Sequence, residues 1–169
     1  MDAMNAIFTR RSIRKYTKRQ IDRELIKLIL KAGMYAPSAR NLQPWRFLII
    51  TDRLILNKIP QVHPYANMIR EASVGILVCA DLNIQSNKNY CAEDCSASTQ
   101  NILLAANANG IGAVWLGVYP REKRIEGLKE LLKLPENILP ISLISLGYPD
   151  EVKETPERYD ESKIHYNVW

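Results

Sequence analysis

With 169 residues, 47% of them hydrophobic, the chain suits one domain with a full apolar core and is too apolar for a disordered segment. No apolar run approaches the roughly 20 residues of a spanning helix, and the N-terminus MDAMNAIFTRR lacks the apolar stretch of a signal peptide, so a cytosolic protein is expected. The net charge of +5 is local: between Arg10 and Arg23 seven Lys and Arg face Asp22 alone, a net +6 that leaves −1 elsewhere, and so confined a field favours a phosphate-bearing ligand or nucleic acid.

In chain order, residues 2–9 predict a short helix. Asp22 can cap a second helix over residues 23–34, where Leu25, Ile29 and Ala32 recur on one face. The segment YAPSARNLQPWRFLII follows, a polar run between Pro37 and Pro44 that passes into an apolar strand over residues 45–50. Leu54–Ile59 and Met68–Ala72 read as short helical turns. Ser73–Ala80 is near-continuously apolar and predicts a central strand. Residues 90–109 are the longest helical candidate, with apolar or small residues around most of the circumference, which points to burial on nearly all sides and to a second subunit as cover. Gly110 can end it. Residues 112–119 form a third strand, 121–133 an amphipathic helix, and 139–149 a fourth strand stopped by Gly147 and Pro149. The tail ends on Ile164, His165, Tyr166 and Trp169, residues that ought to pack on something, such as a partner. Without repeats or a linker, residues 1–169 form a single domain, with about 150–169 as a C-terminal arm.

Most catalytic signatures are missing. There is no G-x-S-x-G and no H-E-x-x-H. NGIGAVWLG puts Trp115 where G-x-G-x-x-G needs its third glycine, and its glycines precede a strand rather than follow one. Glu93 and Asp94 are neighbours on a helix and so do not face each other; they read as charges near the helix start. Cys79, Cys91 and Cys95 lack a second pair to complete a metal set, so they read as reduced packing residues and no metal is expected. TRRSIRKY concentrates guanidinium donors whose forks match phosphate oxygens. A chain without a nucleophile or an evident acid–base pair can take its chemistry from a cofactor.

RRSIRKY, APSARNLQPWRF, GIGAVWLGVY, SLGYP and RYDESKIHYNVW, in that order, resemble the FMN-dependent nitroreductase family over nearly the whole chain. The resemblance implies an α+β fold, a central sheet flanked by helices, in an intertwined homodimer with C-terminal arm exchange and FMN in the subunit interface. It implies that Arg10, Arg11 and Ser12 hold the FMN phosphate and ribityl chain, and that Arg158 closes on the phosphate. Arg14 would stand beside the pyrimidine end, where a cation stabilises the reduced anion. Pro37, Ser38, Ala39 and Asn41, with Gln43 nearby, would reach the flavin from the other subunit, on a loop stiffened by its prolines. Leu116 and Gly117 would offer main-chain N–H groups to the reactive edge of the ring. Asn67 is the expected polar contact before the central strand, in a region shared with Tyr65 and Met68; helix capping is its other reading.

The implied activity is hydride transfer from NAD(P)H through flavin to a nitroaromatic, quinone or similar small acceptor, with ping-pong kinetics and no obligatory catalytic side chain. Two alternatives stand beside it. One is a specialised flavoprotein, a reductive dehalogenase or a flavin-fragmenting enzyme, although the extra lid such relatives carry is not found. The other is a nucleic-acid binder gripping through Arg10–Arg23, where Tyr16 is the one residue able to stack on a base.

Overall fold

The computed structural model describes all 169 residues. Helix α1 (Ala3–Thr9) begins where the Asp2 carboxylate accepts from the N–H of Asn5. Helix α2 (Arg23–Met34) is capped by Asp22 in the same way, at 2.7 Å from the N–H of Glu24. A 3₁₀ turn at Ala39–Asn41 leads into β1 (Trp45–Ile50). Asp52 then caps α3 (Arg53–Val62), and a 3₁₀ turn at Asn67–Arg70 precedes β2 (Val74–Asp81). The long α4 (Lys88–Ala108) passes into Gly110, whose φ of +71° lets the chain turn back as β3 (Gly112–Gly117). Helix α5 (Glu122–Leu132) and β4 (Ile138–Gly147) complete the core, and the tail adds only a 3₁₀ turn at Glu161–Lys163.

The four strands form one antiparallel sheet in the order β1-β2-β4-β3, so the fold is α+β, as expected. Strands β2 and β4 lie inside the sheet, and the two-residue period of their side chains feeds two cores. Ile76, Val78, Ile144 and Leu146 point to the layer of α2 and α4, where they meet Ile29 and Ile102. Leu77, Cys79 and Leu143 point to the layer of α3 and α5, where they meet Leu56, Ile59 and Leu128. Pro140 is tolerated inside β4 because the register slips there: Val78 pairs with Ser142 but Cys79 with Pro140, a bulge that leaves Ile141 over.

Two expectations are corrected. Residues 54–59 are not an isolated turn but the middle of α3, which carries Pro60 in its last turn. α4 does not need a second subunit to explain its composition: from Asp94 to Ala108 no residue is exposed even in one chain, because α1, α2 and the sheet already cover it. The apolar surface that does lack cover lies elsewhere, on Met1, Met4, Ile7 and Phe8 of the N-terminal helix and on the tail, exposed from Val152 to Trp169. The tail's aromatic end packs on nothing in its own chain beyond the stacking of His165 on Trp169, centroids 4.1 Å apart. No helix is long and apolar enough to cross a membrane.

Candidate functional site

β3 is an edge strand, and its free edge organises the site. The N-terminal segment docks there through two glycines that face each other in the β3–β4 pairing, Gly112 and Gly147. Ile13 packs on Gly112 and Tyr16 on Gly147 so closely that a Cβ at either glycine would come within 2.7 Å of them. Ser12 bridges to Ala113, and the N–H of Ile13 donates to the Ala113 carbonyl at 3.0 Å. Glu151 fixes the same segment from the C-terminal side: one carboxylate oxygen accepts from the N–H groups of Arg14, at 2.5 Å, and Lys15, at 3.2 Å. Those bonds hold its pKa below the usual carboxylate value.

At this end of β3 lies a cavity of about 190 Å³ bordered by Arg10, Arg11, Leu103, Asn107 and Lys153. Burial, then repulsion from Arg11 and Arg158, pulls the Arg10 pKa down, so three guanidiniums crowd here with no carboxylate paired to any of them. A doubly charged anion would relieve that repulsion. The three are not equivalent. Arg11 already donates to the carbonyls of Phe8, Arg10 and Glu154, which ties the N- and C-terminal segments together and leaves Arg10 and Arg158 the freer donors. The Arg14 guanidinium is exposed and makes only a long contact, 3.4 Å, to the Ser12 carbonyl.

The other end of β3 lies four residues on, about 13 Å away at the rise of a strand. Because Ala113 turns its carbonyl to the free edge, alternation turns Gly117 there too, while Leu116 faces β4 opposite Leu143. Leu116 and Gly117 are therefore not equivalent donors: the N–H at the open edge is that of Gly117. A Cβ on Gly117 would meet nothing within 4 Å, so the strand presents bare backbone to open space.

Two side chains converge on the Gly117 carbonyl. His63 Nε2–H donates to it at 3.0 Å and Arg124 at 2.6 Å. His63 is buried and its Nδ1 has no partner; burial lowers its pKa, which keeps the ring neutral with its proton on Nε2. The His63 carbonyl accepts from the N–H of Ala66, so the same residue sets the start of the 3₁₀ turn that carries Asn67. Ala66, not Asn67, is the N-cap of that turn and Asn67 is exposed, which removes the capping reading. Arg70, three residues on, shares its face in a 3₁₀ turn.

Pro37, Ser38, Ala39 and Asn41 precede β1, the edge strand opposite β3 in the sheet. Arg40, Asn41 and Gln43 in this loop all have left-handed φ of 50–55°. Ser38 accepts from the N–H of Gln43, and the Gln43 amide donates to Asn41. The loop is pinned by Asp94, whose Oδ1 accepts from the N–H of Ala39 at 2.8 Å. Asp94 is thus a buried strut rather than a charge serving the helix dipole, and its Oδ2 has no partner. Asp94 sits near the start of α4 and Asn107, on the basic cavity, near its end; thirteen residues of helix separate them by about 20 Å. One chain does not bring its own loop to its own basic cluster.

Sequence reasoning missed Asp94, His63 and Arg124. The exposed neighbour of Asp94, Glu93, lies beyond the first turn of α4, so the helix-start reading does not hold for it either.

Comparison with known proteins gives the family. The model of the nitroreductase family matches residues 7–148. A Methanothermobacter thermautotrophicus protein named "Putative NADH dehydrogenase/NAD(P)H nitroreductase" is 48% identical over 100% of this chain and 88% of its own. An FMN-dependent nitroreductase from Clostridium difficile superposes with a TM-score of 0.90 at 30% identity, over 98% of this chain and 99% of that one. An NADPH:FMN oxidoreductase from Vibrio harveyi, solved with NAD⁺, gives 0.88 at 28% identity over 99% and 77%. The family model, the relatives and the superposed structures lead to one assignment: this chain belongs to the nitroreductase family.

Proposed function

We propose that the chain works as a homodimeric, FMN-dependent oxidoreductase that takes hydride from NAD(P)H and passes it in ping-pong turnover to a small acceptor such as a nitroaromatic or a quinone. The observation that carries this is the free edge of β3, with three unpaired guanidiniums at one end and bare backbone facing open space at the other. Those residues fit FMN: an anion for the cations, a flat ring for the glycine.

Bound there, FMN supplies the acceptance and release of hydride. The protein's share is placement. Arg10 and Arg158 hold the phosphate as free forks, with Arg11 and the Ser12 hydroxyl beside them. Arg14 sets a positive charge toward the pyrimidine end. Asn67 and the Gly117 N–H offer polar contacts to the ring edge, and Leu116 fixes the strand beneath. Since Pro37, Ser38, Ala39 and Asn41 lie about 20 Å from their own chain's basic cluster, they serve the site of the partner subunit, and the exposed N-terminal helix and tail supply the surface that pairs the subunits. His63 and Arg124 hold the Gly117 carbonyl, so the N–H of that residue, on the same edge of the strand, stays aimed.

The test is the visible spectrum of the purified protein, before and after FMN and then anaerobic NADH and NADPH in turn, with riboflavin as a comparison. A yellow protein that either nucleotide bleaches supports the reading. So does an Arg10→Gln/Arg158→Gln variant that loses about tenfold or more in affinity for FMN but none for riboflavin, as removal of charge-assisted bonds to phosphate requires. A colourless protein that ignores FMN overturns it.

A further inference from the structure

Beside the Gly117 end of β3 runs a second groove that the flavin reading does not use. It encloses about 760 Å³ between Gln61, Val62 and Pro64 on one side and Arg121, Lys123 and Arg124 on the other. That volume suits a drug-sized or nucleotide-sized ligand. Its charge is one-sided: three cations against Glu122 alone. Arg121 and Lys123 are exposed and make no ion pair, so their donors are free. α5 starts in this wall, and Arg121 at its N-cap supplies no side-chain acceptor for the first N–H groups of the helix.

Two contacts tie the groove to the ring-edge site. Arg124 lines it and also donates to the Gly117 carbonyl at 2.6 Å. The same guanidinium lies 5.2 Å from the centroid of Tyr65, whose ring is 68% exposed and offers a flat face beside the groove. An anion-binding wall, an exposed aromatic face and continuity with Gly117 make a combination that matches one part of one substrate. We propose that this groove binds the phosphate-bearing adenylate half of the nicotinamide dinucleotide, with Arg121 and Lys123 on phosphate and Tyr65 under the base. This rests on the oxidoreductase reading above, which brings such a nucleotide to Gly117. The phosphate that Arg121 and Lys123 meet is either the pyrophosphate, common to NADH and NADPH, or the 2′-phosphate of NADPH.

The experiment is the Arg121→Gln/Lys123→Gln double variant, in two measurements. In the first, anaerobic bleaching of the FMN-loaded protein is followed with NADH, NADPH and the uncharged reductant 1-benzyl-1,4-dihydronicotinamide. The expected result is a rise of about tenfold in the half-saturating nucleotide concentration, as loss of two charged contacts implies. The limiting rate and the benzyl reductant's rate stay unchanged. A rise for both nucleotides assigns the pyrophosphate; a rise for NADPH alone assigns the 2′-phosphate. In the second, calorimetry measures binding of ADP and of adenosine 2′,5′-bisphosphate to the wild-type and the variant. No flavin is needed there, so the groove is tested even if the protein ignores FMN. Weaker binding of either nucleotide in the variant, with an unchanged melting temperature, supports the subsite. Unchanged binding of both, with unchanged half-saturation for NADH and NADPH, overturns it.

Discussion

Replacing Gly117 by alanine separates folding from cofactor binding. The added methyl group meets no protein atom within 4 Å, and the position has no left-handed φ for alanine to resist. Folding stability should therefore hold or rise by about 0.4–1 kcal/mol, since alanine restricts the unfolded chain. A flavin ring lying against that backbone, however, would collide with the methyl. Overpacking a close contact costs about 1–3 kcal/mol, or roughly tenfold to a hundredfold in affinity. Gly112→Ala is the counterpart, because its Cβ would lie 2.7 Å from Ile13 Cγ2. That variant should lose about 1–3 kcal/mol of stability, at about 2–4 °C of melting temperature per kcal/mol for a chain this long. The assay is a thermal melt of the flavin-free proteins paired with fluorescence titration of FMN. If Gly117→Ala binds FMN as tightly as the wild-type while melting at the same temperature, the ring does not rest on Gly117 and the argument from the free edge fails.

Two further outcomes follow from the buried titratable groups. The thiols of Cys79, pushed up to about 12, and of Cys91 and Cys95, also raised by burial, stay protonated at neutral pH. A disulfide exchange reagent should therefore find no fast thiol in the native protein and three after denaturation, and Cys91→Ser, whose hydroxyl can still donate to the Gln85 carbonyl, should keep its turnover within about twofold. His63 has its pKa lowered from 6.5 by burial, so below that pH the unfolded chain takes up a proton that the folded one refuses. Stability should fall as the pH drops from 6.5 toward the lower folded value, by at most about 1.4 kcal/mol per pH unit. His63→Gln should flatten melting temperature against pH just below 6.5, above the range where the Glu151 carboxylate titrates; an unchanged slope would place the proton elsewhere.

The strands and helices were legible because their signals are local. Asp22 announces a helix one residue before it starts, and β2 and β4 show as apolar runs because both their faces are covered. α3 is longer than it reads, running from Arg53 through Pro60 to Val62. The cationic end of the site was visible as a charge cluster, although not that Arg11 would serve as a tie between segments. What the sequence hid are contacts between distant positions. Asp94 and Ala39 are 55 residues apart, and His63 and Gly117 are 54 apart; nothing near either residue marks the pairing. The left-handed run at Arg40, Asn41 and Gln43 was hidden too, since two of the three are residues that seldom adopt it.

The clasp between the two ends of the chain bears on how the protein is made. Ser12, Arg14 and Lys15 are fastened by Glu151 and Lys153, and Arg10 finds Arg158 only across nearly the whole length of the chain. On the ribosome, Arg14 emerges 137 residues ahead of Glu151, which fastens it. Until Glu151 arrives the basic segment stays undocked, and β3 keeps an uncovered edge until β4 and the residues after it have been made. The anion pocket comes into being only once residues 151–158 have been made, in one step that needs both segments. A chain that stalls before residue 150 would have its guanidiniums and nowhere to set them.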